Sequence, residues 1–331
     1  MSAIIETRSA SKRFRQHKRF PGLAGALRTL LTREFTEVVA VDDISFAIEA
    51  GEAVGYLGPN GAGKSTMIKM LTGILVPSSG TVSVLGRVPH QQRTVNAREI
   101  GVVFGQRSQL WWDLPVIDSF LLNQQIYGIP EARFSDNLAR YTRLLELDSF
   151  LDRAVRQLSL GQRMRCELVM ALLHDPKVLF LDEPTIGLDV VAKDVVRKFL
   201  ATVNRERGMT IILTTHDLVD IEQICPRLIM VDEGKLLYDG ALTQLRASLG
   251  GSRRLRLEFG SDPGSIALSG AELVKDEGLF KHFRIDREDV SLISLLSEVP
   301  HNAGLRDVLI EEPTIEEVIR SFYLSKPAVR G

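Results

Sequence analysis

The chain has 331 residues, of which 44% are hydrophobic and 25% charged, a balance typical of folded globular proteins and not of disordered or fibrous ones. Its 41 Lys and Arg residues nearly cancel its 42 Asp and Glu residues, so overall charge favours neither nucleic acid nor anionic lipid as a partner. The sequence contains no run of about 18 apolar residues, the length needed to span a bilayer. Met1–Glu6 lacks the pattern of a secretory signal. With only Cys166 and Cys225 available for disulfides, we expect a protein of the reducing cytoplasm.

A basic segment near the N-terminus departs from this average. Between Thr7 and Arg33 the sequence has eight Lys and Arg residues and no Asp or Glu. Four leucines in it have the spacing of one helical face: Leu23, Leu27, Leu30 and Leu31. One interpretation is a basic amphipathic helix at a membrane surface or a partner protein. The other is a solvated insertion between two strands, over about residues 12–34.

Short apolar runs rich in β-branched residues predict buried parallel strands. They are Ala53–Leu57, Ile100–Phe104, Val178–Asp182, Ile211–Thr215 and Leu228–Val231. Helical patterns separate them, so the predicted fold class is α/β with a mostly parallel sheet. Small, polar or charged residues follow the first four runs, where ligands of such sheets bind.

A helical insertion is predicted within this domain, over about residues 107–160. No strand-like run occurs between Asp118 and Leu158, and Asn137–Leu147 has a helical pattern. The apolar face of that helix is predicted to contain Leu138, Tyr141, Leu144 and Leu145.

The pattern changes after about Leu245. Gly250-Gly251-Ser252 is a linker candidate, and it is followed by alternating Leu255, Leu257 and Phe259, then by Val290–Ile293 and a helical tail at Thr314–Tyr323. We therefore predict an α/β domain over residues 1–245 and a small α+β accessory domain over residues 246–331.

A phosphate-binding loop is predicted after the first apolar run. Gly58-Pro59-Asn60-Gly61-Ala62-Gly63-Lys64-Ser65 fits Gly-x₄-Gly-Lys-Ser/Thr between a strand and a helix, and Thr66 follows it. Its glycines let backbone N–H groups surround phosphate oxygens, with the helix dipole behind them. Lys64 would reach the β- and γ-phosphates, and the Ser65 hydroxyl would ligate Mg²⁺. The alternative, a structural Gly-rich turn, fits this strand–loop–helix context less well.

Two carboxylates end the third apolar run. Asp182 would hold the Mg²⁺ shell, and Glu183 would act as general base toward the attacking water. Without the phosphate loop, an acidic turn with no role would be a serious alternative.

Three further polar residues follow strand ends. Gln106 is predicted to contact the Mg²⁺ water shell and the γ-phosphate, and His216 to contact the γ-phosphate or orient Glu183. Asp189, in Gly187-Leu188-Asp189, lies just past the carboxylates. Each alone would more often be ordinary loop chemistry, but their order and spacing favour one site.

A second anion-binding helix N-terminus is predicted at Leu158-Ser159-Leu160-Gly161-Gln162. One chain cannot easily direct two such termini at one γ-phosphate. A head-to-tail pair of chains can, if each contributes this turn to the other's nucleotide.

The ordered set of motifs resembles the nucleotide-binding subunit of an ATP-binding-cassette (ABC) transporter, over about residues 4–245. The single cassette, the loop ending Gly63-Lys64-Ser65-Thr66 and the C-terminal appendage look like the ABC-2 type exporter branch. The resemblance implies a P-loop ABC ATPase fold with an antiparallel β subdomain, and hydrolysis of ATP with Mg²⁺. It also implies a homodimer that closes on two ATP molecules and drives a separate transmembrane permease, at the inner face of the cell membrane. No nucleic acid partner is expected.

The family likeness also assigns roles residue by residue. Ser159, Gly161 and Gln162 would contact the ATP held by the partner chain's Lys64 loop. Phe35 lies at the usual distance for the aromatic residue that stacks on adenine, and Phe14 is the alternative. Leu160 stands where Gly is usual, which could alter the dimer contact, but we expect hydrolysis to survive.

An apolar cluster lies at the entrance to the helical insertion, at Trp111, Trp112, Leu114 and Pro115. In this family a short helix of the membrane subunit docks near here, and exposed tryptophans would make a hot spot. The alternative is that they pack into the core of the chain itself.

The sequence disfavours two other functions. A soluble ABC ATPase of translation or DNA repair is disfavoured by the single phosphate loop and the lack of a long coiled coil. A regulatory protein without catalysis is disfavoured by the intact Lys64, Asp182, Glu183 and His216.

Overall fold

A computed structural model describes residues 3–17, 35–105, 107–248, 253–285, 291–300, 303–311 and 314–324. The chain divides into two compact units, Met1–Gly240 and Ala241–Gly331. The boundary lies at Gly240 and not at Leu245, because the helix that begins at Leu242 belongs to the second unit.

The strands of the first unit are β1 (Ile5–His17), β2 (Phe35–Ile48), β3 (Ala53–Leu57), β4 (Ser79–Val84), β5 (Ile100–Phe104), β6 (Val178–Asp182), β7 (Thr210–Thr214), β8 (Arg227–Asp232) and β9 (Lys235–Ala241). Its helices are α1 (Lys64–Leu71), α2 (Arg93–Ala97), α3 (Val116–Tyr127), α4 (Glu131–Leu145), α5 (Leu160–Leu172), α6 (Val190–Arg207) and α7 (Leu218–Ile224), with a 3₁₀ turn at Val155–Gln157.

A six-stranded sheet organises the first unit, in the order β5-β6-β7-β3-β8-β9. Strands β5, β6, β7, β3 and β8 pair in parallel. They are the five predicted strands; β7 begins one residue earlier than Ile211, and β8 extends one residue further at each end. Every residue of β3 and β7 is buried, as expected of parallel strands covered on both faces.

A second sheet, in the order β2-β1-β4, is antiparallel. Strands β1 and β2 form a long ribbon that reaches the pair His17 and Phe35. Residues 12–17 are therefore part of β1 and not of the predicted basic insertion. The four leucines of the proposed amphipathic helix lie outside the described residues.

The helical insertion contains α3, α4 and the 3₁₀ turn. Helix α4 begins at Glu131, directly after Pro130, so it starts before the predicted Asn137 and ends before the predicted Leu147. It ends at Leu145 because Glu146 adopts a left-handed conformation, with φ of 53°. Its buried face includes Phe134, Tyr141 and Leu145, whereas Leu144 is exposed, contrary to the prediction.

The second unit contains an antiparallel sheet in the order β11-β12-β10-β13. Its elements are α8 (Leu242–Ser248), β10 (Arg253–Phe259), β11 (Glu272–Asp276), β12 (Phe280–Ile285), α9 (Leu292–Ser297), β13 (Leu305–Glu311) and α10 (Ile315–Leu324). The alternating Leu255, Leu257 and Phe259 are all buried in one apolar cluster. The helical tail predicted at Thr314–Tyr323 is α10, displaced by one residue, and Val290 lies outside the described residues.

Among the described residues, no helix is both long enough and apolar enough to cross a membrane. Cys166 and Cys225 are free thiols, each buried.

Candidate functional site

The loop from Gly58 to Gly63 connects the end of β3 to the start of α1. Its glycines are required by geometry: a Cβ at Gly58 would lie 2.4 Å from the Val231 carbonyl oxygen, and one at Gly63 would lie 2.1 Å from the Ala40 carbonyl oxygen. Gly63 also has a φ of 97°, which residues with a Cβ rarely adopt. The loop also contains Pro59, Asn60, Gly61 and Ala62, and Thr66 follows in α1. It is therefore held against β2 and β8 while its open side faces a groove.

Lys64 is folded back over this loop. Its ammonium donates hydrogen bonds to the carbonyl oxygens of Gly58 (2.7 Å) and Pro59 (3.1 Å). Burial lowers the pKa of Lys64 below its usual value, although the charges of Glu183 and Asp182 act in the opposite direction. A cation held this way is available to a phosphate that enters the loop.

Asp182, at the end of β6, meets residues from two other elements. The Ser65 hydroxyl donates to Asp182 Oδ1 at 3.1 Å, and the Thr214 hydroxyl donates to the same oxygen at 2.6 Å. Thr214 was not predicted as a site residue, because it belongs to an apolar strand. The one sequence feature that could have indicated it is its position two residues before His216.

Glu183 and His216 contact each other at the groove, with His216 Nδ1 3.2 Å from Glu183 Oε2. Glu183 has a φ of 55°, an uncommon conformation for a residue with a side chain, and its N–H donates to the Thr214 carbonyl oxygen at 2.9 Å. The adjacent Gly105 makes room for it, since a Cβ there would lie 2.2 Å from the Glu183 carbonyl oxygen. Strained conformations of this kind cluster at functional sites.

One groove of about 930 Å³ brings together the phosphate loop, Ser65, Asp182, Glu183 and His216. Gln106 itself lies outside the described residues, but its neighbours Gly105 and Arg107 both line the groove. The role of Gln106 stays a prediction.

The Ser159 turn does not line this groove, although Leu160 and Arg163 of the same helix line a smaller pocket that shares Gly105 and Arg107 with it. Ser159 caps α5 in a reciprocal arrangement: its hydroxyl accepts from the Gln162 N–H (3.2 Å), and its own N–H donates to Gln162 Oε1 (2.9 Å). Gly161 approaches the first turn of α6, where Asp189 accepts from the Ala192 N–H at 2.8 Å. Ser159, Gly161, Gln162 and Asp189 are all absent from the described lining of the groove.

The two candidate aromatic residues occupy different positions on the β1–β2 ribbon. Phe14 pairs with Val38, two residues from Ala40, which contacts the phosphate loop. Phe35 is five residues from Ala40, and the Arg15 guanidinium lies 4.7 Å from its ring centroid. At about 3.4 Å per residue, Phe35 is roughly 10 Å further along the ribbon from the loop than Phe14.

The two tryptophans are not part of the core. Trp111 is 54% exposed and Trp112 is 53% exposed, and the Arg163 guanidinium of α5 lies 5.7 Å from the Trp112 ring centroid. Glu167, also on α5, accepts a hydrogen bond from the Ser108 hydroxyl and another from the Gln109 N–H, at 3.0 Å. The helix that begins at Ser159 is thus tied to the tryptophan segment.

Comparison with known proteins identifies the family. Residues 41–186 match the family model described as ABC transporter. The Nod factor export ATP-binding protein I of Paraburkholderia xenovorans is 37% identical over 244 residues, covering 73% of this chain and 79% of that protein. The chain belongs to the ABC transporter ATP-binding proteins.

Two further similarities agree. The ABC transporter ATP-binding protein NatA of Bacillus subtilis is 33% identical over 64% of this chain and 85% of its own length. A solved ATP-binding subunit of an ABC transporter has a TM-score of 0.62 at 25% identity, covering 75% of this chain and 93% of that one. The P-loop ABC ATPase fold is confirmed, and the chain is an ATP-binding and ATP-hydrolysing transporter subunit.

Gly105→Ala tests the tight packing of this ABC ATPase site. Because the added methyl would collide with the Glu183 carbonyl oxygen, we expect ATP hydrolysis to fall roughly 10-fold to 100-fold, as displacements of about 1 Å do at active sites. Gly86→Ala is the control, since nothing lies within 4 Å of a Cβ there; its left-handed φ lowers stability only. Steady-state hydrolysis by purified proteins checks this, and equal rates for the two variants would contradict it.

Proposed function

We propose that two copies of this chain close on two Mg-ATP molecules and thereby drive a separate ABC-2 type transmembrane permease that exports its substrate. The observation that carries the proposal is that, of two anion-binding helix N-termini in one chain, only one lines the groove. Helix α1 opens onto the groove, whereas the Ser159 turn does not line it. A second copy, placed head to tail, would bring its Ser159 turn to the phosphates held by Lys64.

The residues at the groove fit a magnesium ion bound together with the triphosphate. Mg²⁺ prefers oxygen ligands and commonly takes only one or two from the protein, with phosphates and water completing the shell. The Ser65 hydroxyl and the Asp182 carboxylate, 3.1 Å apart, are such a pair, and no cluster of three or more His, Cys, Asp or Glu residues competes with them in the described chain. A bound Mg²⁺ would neutralise charge on the phosphate oxygens.

Within this proposal each side chain has a distinct task. Lys64 binds the phosphates, and Thr214 fixes the Asp182 carboxylate through its hydroxyl. Glu183 holds the attacking water and accepts its proton, and His216 orients the Glu183 carboxylate through the 3.2 Å contact. Gln106 contacts the water shell, and Asp189, which caps α6 where Gly161 approaches Ala192, lies at the dimer contact.

Relatives of the chain support the proposed direction of transport, and its surface supports the proposed location. A similar protein is named for Nod factor export, which supports export here. We place the chain at the cytoplasmic face of the membrane, held there by the permease. Paired tryptophans with more than half of their surface exposed suit a docking site for a helix of that permease.

Glu183→Gln tests the catalytic part of the proposal. Removing the base should slow hydrolysis by about 10²- to 10⁴-fold while ATP affinity remains, so an ATP-bound dimer should accumulate. Lys64→Ala should instead abolish ATP binding. Hydrolysis assays, nucleotide-binding assays and size-exclusion chromatography measure the three effects, and a wild-type rate for Glu183→Gln would refute the base assignment.

A second substitution in the Glu183→Gln chain tests the dimer geometry. Ser159→Asp keeps a good helix cap but directs a negative charge at the partner's phosphates, so the ATP-dependent dimer should be lost. Ser159→Asn, a neutral cap of the same shape, should keep more of it. If both variants dimerise equally, the Ser159 turn does not face the partner's nucleotide.

The adenine contact is tested by replacing each of the two aromatic residues with alanine. Because Phe14 lies nearer the phosphate loop, we propose it in place of Phe35 and expect Phe14→Ala to weaken ATP binding by about 1–3 kcal/mol. Phe35→Ala should leave binding nearly unchanged. Equilibrium titration of ATP distinguishes them, and the reverse order of effects would restore Phe35.

The docking surface is tested at the tryptophans. Trp111→Ala with Trp112→Ala should weaken association with the transmembrane permease by at least about 2 kcal/mol, because both rings are exposed anchors. ATP binding by the isolated chain should not change. Ile126→Ala, at an exposed position of α3, is the control. Co-purification that survives loss of both rings would place the docking site elsewhere.

A further inference from the structure

A buried ion pair joins two helices behind the groove. Arg197 Nε on α6 donates to Asp220 Oδ1 on α7 at 2.6 Å, and the Asp220 side chain is completely buried. Burying two charges is costly, and apolar residues of similar size often give equal stability. The pair therefore calls for an explanation beyond packing.

The other oxygen of Asp220 supplies one. Asp220 Oδ2 accepts hydrogen bonds from the Thr185 hydroxyl and from the Thr215 hydroxyl, the latter at 2.9 Å. Thr185 is two residues after Glu183, and Thr215 immediately precedes His216. One carboxylate oxygen thus joins the two chain segments that carry the Glu183–His216 contact.

The opposite side of His216 is held by the same arginine. Asp217 Oδ2 accepts from Arg197 at 3.0 Å and from Lys193 at 2.6 Å. Burial raises the pKa of Asp217, but the hydrogen bond from Lys193 and the charge of Arg197 outweigh it, so the pKa lies below its usual value and the carboxylate stays charged. His216 therefore lies between two residues that are both anchored to this network.

We propose that Arg197 and Asp220 are positioning residues for hydrolysis: through the Thr185 and Thr215 hydroxyls they hold Glu183 and His216 in register. This inference rests on the proposed roles of Glu183 and His216. Neither Arg197 nor Asp220 lines the groove, so both act only through those neighbours. Loss of one hydroxyl should therefore slow the chemical step without weakening ATP binding.

Thr185→Val and Thr215→Val test this, because each removes one hydroxyl and leaves the ion pair intact. We expect kcat to fall roughly 10-fold in each, with the KM for ATP unchanged. Thr185→Ser restores the hydroxyl and should recover most of the rate. The matched control is Thr142→Val, which removes a buried hydroxyl that has no hydrogen-bond partner among the described residues. Thermal denaturation confirms that every variant is folded at the assay temperature.

A double mutant separates positioning from general destabilisation. If Thr185 acts through Glu183, adding Thr185→Val to Glu183→Gln should cause no further loss of rate. Additive losses, or a Thr185→Val rate equal to that of Thr142→Val, would overturn the inference. The proposed function fails separately, if Glu183→Gln alone hydrolyses ATP at the wild-type rate.

Discussion

A single carboxylate oxygen, Asp182 Oδ1, is the point on which the nucleotide site depends. It accepts one hydrogen bond from a hydroxyl at the start of α1 and another from a hydroxyl at the end of β7. Three separate stretches of chain therefore converge on one atom. That convergence is possible because β3, β6 and β7 are parallel neighbours whose carboxyl ends meet at one edge. The proposed metal ligands, the phosphate loop and the proposed general base take their relative positions from this arrangement.

Fixed charges surround that point in two layers. Lys64 provides the inner positive charge, and behind the groove Arg197 and Lys193 compensate Asp217 and Asp220. The charges of the outer layer hold segments of the chain in place and do not bind a ligand. A site that must handle a highly charged substrate thus relies on charges already neutralised within the protein, which limits how much its side chains rearrange when the substrate enters.

Local patterns were sufficient for the five parallel strands, the phosphate loop and the helix start at Ser159, because each of these is specified by adjacent residues. Contacts between distant residues were not readable in this way. Thr214 looked like any strand residue, and the Arg197–Asp220 pair has no local signature. Linear distance could not decide between Phe35 and Phe14, because cross-strand register in the ribbon determines which of them lies nearer the loop. Leu144 was placed on the buried face because it adjoins Leu145, but the face centred on Phe134, Tyr141 and Leu145 leaves it at the exposed edge.

The ribbon has one more consequence. His17 and Phe35 are cross-strand partners, so the chain leaves the sheet and returns to it at the same place. An excursion that starts and ends at adjacent points imposes no strain on the strands below it, whatever its length. The end of the ribbon at His17 and Phe35 is thus a position at which the length of the joining sequence can change while the pairing of β1 with β2 is kept.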